Sequence, residues 1–178
     1  LNENMSGLVL DLRDNPGGLL NAAVNILDLL IAKGEVLVWT KGKTSKSDRR
    51  YYSENDPIIP EDLSITVLVN QGSASASEII SGALQDLDRG VIIGRKTYGK
   101  GLVQTVFNLD RERAIKITTA KYYIPSGRLI QKPGYLPKEI LSDSSVIDTV
   151  YFTKAGRKVS GAGGITPDHV VELDEISP

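Results

Sequence analysis

Two spacings of apolar residues divide the chain. Short β-branched or alternating runs at Gly7–Arg13, Glu35–Lys41, Ile65–Val69, Val91–Ile93, Leu102–Asn108 and Ala114–Tyr123 predict strands, and Gly7–Arg13 is expected to have one well-buried face. Between them, apolar residues at positions 19, 20, 23, 24, 27, 30 and 31 predict an amphipathic helix over Leu19–Ile31, with Gly34 suited to the position beyond its end. A second helix is predicted over Ser75–Leu87, from Ile79, Ile80, Ala83, Leu84 and Leu87. Strands interleaved with helices predict the α/β class, a mixed twisted sheet with helices packed against it.

The intervening segments read as turns and loops. Gly42–Asp48 turns back toward Arg49–Glu54 as a hairpin with an exposed tip, and Asn55–Leu63 is an irregular loop interrupted by Pro57 and Pro60. The charged turn Asp110–Arg113 joins the two β runs that flank it into an antiparallel pair. Tyr122 and Tyr123 fall on opposite faces of their strand, which argues against a paired aromatic platform for nucleic acid. Lys132–Ser145 reads as a surface loop, Val150–Thr153 as strand-like, Lys154–Arg157 as a loop and His169–Leu173 as a last short strand.

Composition narrows the function classes. The 178 residues are 40% hydrophobic and 24% charged, the balance of one globular domain, residues 1–178, with a real core. A net charge of −1 implies no general affinity for nucleic acid or an anionic membrane. No apolar run reaches the length of a membrane span. The absence of cysteine excludes a disulfide, a thiolate metal site and a cysteine nucleophile. The single histidine, His169, has no metal-ligand cluster around it. The chain opens on Leu1 with no signal peptide, as expected of a piece of a longer protein truncated on its N-terminal side.

Candidate chemistry concentrates in Ile65–Gln104, where a strand, an Asn70-Gln71-Gly72 turn and a helix place the first helical residues at a sheet edge. One reading of Ser75-x-x-Glu78 is a helix capping box and nothing more. A second is nucleotide binding, since Gly94–Lys100 matches the opening of a P-loop; it lacks the following Ser or Thr, and a β-rich run stands where a helix belongs. The third is nucleophilic catalysis, with Ser75 activated by a base. A histidine triad would have to rest on His169, so lysine is the alternative, and Lys100 stands between two glycines. Its pKa would have to fall from about 10.4 to about 7–8, which requires desolvation or a positive neighbour. Consecutive glycines at Gly17 and Gly18 allow backbone N–H groups to approach an anion, or form a plain strand-to-helix turn.

Five segments in one order carry a resemblance: LVLDLRDNPGG at Leu8–Gly18, GSASASE at Gly72–Glu78, TYGKGLVQ at Thr97–Gln104, ITTAKYYIPSGRLIQ at Ile117–Gln131 and GGITPD at Gly163–Asp168. Together they resemble the catalytic domain of the C-terminal processing, or tail-specific, serine proteases. The resemblance implies a crotonase/ClpP-like core and a serine endopeptidase cutting proteins near their C-termini, with no cofactor and no metal. It implies Ser75 as nucleophile, Lys100 as general base and Gln104 as the residue that orients the lysine. The oxyanion donors it implies are the N–H of Ala76 and that of Gly17 or Gly18. It further implies protein or peptide substrates, a periplasmic or cell-envelope location, and a PDZ domain in the parent protein that this chain does not contain. The chain departs from the family spacing by extra residues at about 134–160, which bears on substrate access. The alternatives are a non-catalytic peptide-binding scaffold of the same fold and the P-loop-like nucleotide binder.

Overall fold

The computed structural model describes residues 5–132, 150–161 and 163–172. β1 (Gly7–Asp11), β4 (Ser64–Val69), β5 (Val91–Gly94) and β10 (His169–Val170) form an all-parallel sheet in the order β1-β4-β5-β10. β2 (Val36–Gly42), β3 (Arg49–Tyr52), β6 (Leu102–Asn108) and β7 (Ala114–Tyr123) form an antiparallel sheet in the order β3-β2-β7-β6. The α/β class read from the sequence stands, with the parallel and antiparallel pairings partitioned between two sheets. β8 (Val150–Phe152) and β9 (Lys158–Ser160) make a separate antiparallel ribbon. The surface loop read at Lys132–Ser145 lies, from residue 133 on, outside the described residues.

Two helices pack against each other and on the sheets, the first on β2 and β3 and the second on strands of both sheets. α1 (Leu20–Asp28) stops short of the periodic run that predicts it, yet Leu30 and Ile31 beyond its end remain buried. The Asp28 carboxylate there takes the N–H groups of Glu54 (2.6 Å) and Asn55 (3.1 Å), tying the helix end to the loop after β3. α2 (Ala76–Asp86) follows β4 and leads into the neighbouring parallel strand β5, so β4-α2-β5 is a βαβ unit. It packs against α1, β2 and β5. Every residue of α2 is therefore buried, polar ones included. Gly82 makes this packing possible, since a side chain there would meet Ile124 at 2.7 Å and Ile165 at 2.9 Å.

The core is built from the inward faces of these elements: Ala23 and Leu27 of α1, Leu37 and Val38 of β2, Ile65, Val67 and Val69 of β4, and Ala83 and Leu84 of α2. β4 has a strand on each side and follows the period-two burial that its β-branched run predicts. β1, the outer strand of this sheet among the described residues, turns Leu8 and Leu10 against the core, but they are only partly covered and not well buried as expected, and Val9 on the opposite face is 62% exposed.

The far end of α2 is anchored by a buried ion pair. Arg128 and Asp86 meet at 2.7 Å with both side chains fully buried. Arg128 also donates to Gln85 Oε1 (2.6 Å) and the Ser160 carbonyl (2.8 Å), and Asp86 accepts the Ser126 N–H (2.9 Å). Burial raises the Asp86 pKa and lowers that of Arg128, each against the pull of its partner. The β8–β9 ribbon closes over this end: Lys154 N–H reaches the Asp86 carbonyl, and Arg157 pairs with Asp88 and Asp168 at 2.6 Å each. Removing one member of such a pair strands the other charge. Asp86→Ala is expected to cost about 3–5 kcal/mol in urea unfolding. A loss under about 1 kcal/mol would show that Arg128 finds solvent without its partner.

Candidate active site

The strand-to-helix turn between β4 and α2 is held on all sides. Asn70 N–H donates to Ser73 Oγ (3.0 Å), whose own proton goes to the Leu12 carbonyl (2.6 Å). Ala74 N–H and the Ser77 hydroxyl both donate to the Asn15 carbonyl, at 3.0 Å each. Ser73 and Ser77 are thus buried donors that join this turn to the one after β1. No hydrogen bond from the Ser75 hydroxyl to an acceptor is present among the described residues, and Ser75 is only half-buried. Ser75 has φ 57° and ψ −115°, a conformation unusual for a residue with a side chain and the kind of strain that collects at functional turns. The result is a sharp strand-turn-helix elbow with a serine at its apex, at the N-terminus of a helix.

Glu78 holds the elbow. It is fully buried, in the first turn of α2. Oε2 accepts the N–H of Ser75 (2.8 Å), so the capping role read from the sequence is present. The same oxygen accepts the N–H of Lys100 (2.8 Å), and Oε1 accepts the Thr97 hydroxyl (2.5 Å) and the Gly99 N–H (2.7 Å). One carboxylate therefore holds the backbone of Ser75 and that of Lys100 on one oxygen. Thr97 Oγ1 in turn accepts the Ile165 N–H (2.7 Å), and Gly164 packs so closely on Thr97 that a side chain there would meet its carbonyl at 2.5 Å. The GGITPD segment acts on the site through Thr97. Gln131 Oε1 accepts the Gly101 N–H (2.9 Å), and Lys132 N–H reaches the Gly99 carbonyl (3.0 Å), so the loop is also held from the other side.

Ser75, Ala76, Gly18, Lys100 and Gln104 line one cavity of about 320 Å³. Its remaining wall includes Leu19, Leu20, Ile79, Leu102, Val103 and Val106. Gln104 enters it from β6, beside a register shift between Val103 and Gln104 that re-aims this part of the strand. Among the described residues Lys100 forms no salt bridge, and no hydrogen bond joins its ammonium to the Ser75 hydroxyl. Gly17 has φ 87° and lies against the turn that carries Ser75, where a side chain would meet Ala74 O at 2.4 Å and Ala76 N at 2.6 Å. Its own N–H is taken by Asn15 Oδ1 (2.9 Å). Gly18 has open space before it and borders the cavity.

Two alternative chemistries lose their footing here. The N–H groups of Gly99, Lys100 and Gly101 are already given to Glu78 and Gln131, and strand β6 follows them, so the Gly94–Lys100 segment offers no phosphate cradle. His169 is exposed on β10, paired in the sheet with Ile93, and does not line the cavity.

Two residues of the site escape sequence reading. Glu78 reads only as a cap, because its three bonds to Thr97, Gly99 and Lys100 are tertiary. Tyr122 is buried, and its hydroxyl lies against the carbonyl oxygens of Lys100 and Ser75, the latter at 3.2 Å. The available signal was the shared strand face of Ala120, Tyr122 and Ile124: a tyrosine on a core face needs a partner for its hydroxyl.

Comparison with known proteins gives this arrangement its context. The model of Peptidase family S41 matches residues 1–141. The chain is 47% identical over 135 residues to a carboxy-terminal-processing protease of Bartonella bacilliformis, covering 76% of this chain and 31% of that protein. It is 40% identical over 147 residues to a chloroplastic C-terminal processing peptidase of Tetradesmus obliquus, covering 83% of this chain and 31% of that protein. Among solved structures it is similar to a photosystem II D1 C-terminal processing protease, with TM-score 0.66 and 33% identity over 94% of this chain and 35% of the other. The chain thus spans about a third of the length of the curated relatives it matches.

Glu78→Gln tests the carboxylate. An amide turns one of the two acceptor oxygens into a donor and faces it to two groups that themselves donate. At about 1–3 kcal/mol per unpaired buried donor, the variant is expected to lose at least about 2 kcal/mol in urea unfolding. Wild-type stability would mean that these bonds contribute nothing net.

Proposed function

The chain belongs to peptidase family S41, and from that premise we propose that it carries the catalytic centre of a C-terminal processing serine endopeptidase working by a Ser-Lys mechanism. The observation that supports this most is that Ser75, Lys100 and Gln104 share one cavity while a single Glu78 oxygen holds the backbone of the first two. Ser75 is the nucleophile. It is the serine of the three whose proton is not given to a backbone carbonyl, and it stands at the strained apex of the elbow.

Lys100 is the general base. It is half-buried in a cavity whose wall is mostly apolar with Lys116 on its lining, and has no carboxylate paired with its ammonium among the described residues. Neutral Lys100 takes the Ser75 proton as Oγ attacks the scissile carbonyl carbon. The oxyanion that forms is met by the N–H of Ala76 and of Gly18; Gly17, whose N–H is taken by Asn15, serves by packing the two turns together. The C–N bond then breaks as the proton passes from Lys100 to the leaving amine; in the second half Lys100 takes a proton from water as the water oxygen attacks the acyl carbon, and the C–Oγ bond breaks as that proton returns to Ser75. Gln104, from β6, orients the lysine side chain.

The substrate is a polypeptide, cut near its C-terminus, as the names of the relatives suggest. Selection of the terminus belongs to the rest of the parent protein, including a PDZ domain, and the parent acts outside the cytoplasm. No helix among the described residues is long and apolar enough to cross a membrane.

Lys100→Arg in the full-length protein separates base from charge, because arginine keeps the cation but cannot be deprotonated. It is expected to abolish cleavage of an unfolded protein substrate and labelling of Ser75 by a fluorophosphonate, with the unfolding midpoint unchanged. Ser75→Ala is the blank. Near-normal turnover in Lys100→Arg would remove Lys100 as the base.

A further inference from the structure

Tyr122 has no place in the mechanism above, yet its hydroxyl touches the carbonyl oxygens of both reacting residues. Resting on that mechanism, we propose that Tyr122 is a positioning residue whose hydroxyl sets the planes of the two peptide units that carry the nucleophile's oxyanion donor and the base.

A peptide unit is planar and trans, so fixing its carbonyl fixes the direction of the N–H on its other side. The carbonyl of Ser75 and the N–H of Ala76 belong to one such unit. Ser75 O accepts the N–H groups of Glu78 (2.9 Å) and Ile79 (3.0 Å) in the first turn of α2, and the phenol at 3.2 Å adds a contact from outside the helix that helps aim the Ala76 N–H at the place where negative charge develops. The Lys100 carbonyl and the Gly101 N–H belong to the other unit. Tyr122 holds its carbonyl end and Gln131 Oε1 its N–H end at 2.9 Å. Glu78 takes the N–H of each of the same two residues. Ser75 and Lys100 are thus both held at their N–H by Glu78 and both met at their carbonyl by Tyr122, which shares the Ser75 carbonyl with the first turn of α2.

Tyr122 is suited to this work. It is fully buried on the core face of β7, and its N–H is bonded to the Gly101 carbonyl (3.0 Å), which keeps this part of the strand beside the loop. A phenol has one proton, here shared between Lys100 O and the more distant Ser75 O, and an ionised phenol would confront two carbonyl oxygens and the Glu78 carboxylate. Burial first and the charge of Glu78 second hold its pKa well above the ordinary value, so the hydroxyl stays a donor. The strained backbone of Ser75 gives the constraint its purpose, since a residue at φ 57° persists only where its surroundings over-determine it.

The test is Tyr122→Phe in the full-length protein, with kcat and KM measured on a peptide substrate and the Ser75 labelling rate measured with a fluorophosphonate. Both kcat and the labelling rate are expected to fall about ten- to a hundredfold with KM unchanged, the scale of a misplacement of about 1 Å. Replacement by 4-aminophenylalanine, which restores a donor, is expected to recover most of the loss. A purely structural tyrosine would lower the unfolding midpoint and leave the labelling rate of the folded enzyme as it was, which overturns the proposal. If Tyr122→Phe does not fold, 4-methylphenylalanine, which fills the same volume without a donor, takes its place. Failure of both to fold also overturns the proposal, since the hydroxyl would then determine the fold. Ser75→Ala separates the two claims: if it retains cleavage, the Ser-Lys reading itself fails; if it is inactive while Tyr122→Phe has normal kcat, the role of Tyr122 alone is lost.

Discussion

A carboxylate buried where water cannot reach it has to be met by donors, and the arrangement of this molecule follows from how Glu78 is met. Its four partners come from two stretches of chain about twenty residues apart, the helix start at Ser75 and the loop Thr97–Lys100. Each bond alone is worth little net; leaving any one of the donors unmade inside the core costs more. The folded state is therefore committed to bringing the serine and the lysine together. The rest of the chain supports that commitment: Ile165 holds Thr97, Gln131 holds Gly101, and Asn15 holds Ala74 and Ser77.

This explains why motifs scattered over the chain share one site. LVLDLRDNPGG supplies the turn that presents Gly18 and whose Asn15 binds the elbow. ITTAKYYIPSGRLIQ supplies Tyr122, Arg128 and Gln131, which act on the loop after Gly99 and on the far end of α2. GGITPD supplies Ile165 for Thr97, and Asp168, which accepts the Ile92 N–H at 2.8 Å and pairs with Arg157. A helix that is buried on every side, as α2 is, can be fixed at both ends only through polar contacts of this kind.

Local periodicity made much of the fold legible. The antiparallel runs 102–108 and 114–123 and the start of α2 emerge where apolar spacing and turn residues place them. What sequence does not carry is pairing over distance. Nothing local says that β2 pairs with β7 and not with the parallel sheet, or that β1 lies outermost with Val9 exposed. The candidate site divides in the same way. Ser75, Lys100 and the glycine turn are legible because each sits in a short segment with unusual composition. Glu78 and Tyr122 do their work through contacts made in three dimensions, and in sequence they read as an ordinary cap and an ordinary strand residue.

The central claim is that backbone constraint delivers Lys100 to Ser75 for catalysis, and a covalent complex of the full-length protein with a peptidyl inhibitor that mimics the tetrahedral intermediate reads it most directly. The account predicts the inhibitor bonded to Ser75 Oγ, its oxyanion about 2.7–3.1 Å from the N–H groups of Ala76 and Gly18, and Lys100 Nζ within about 2.6–3.2 Å of Ser75 Oγ. An inhibitor bonded at Ser75 with Lys100 Nζ turned out to solvent and another group in reach of Oγ would contradict it.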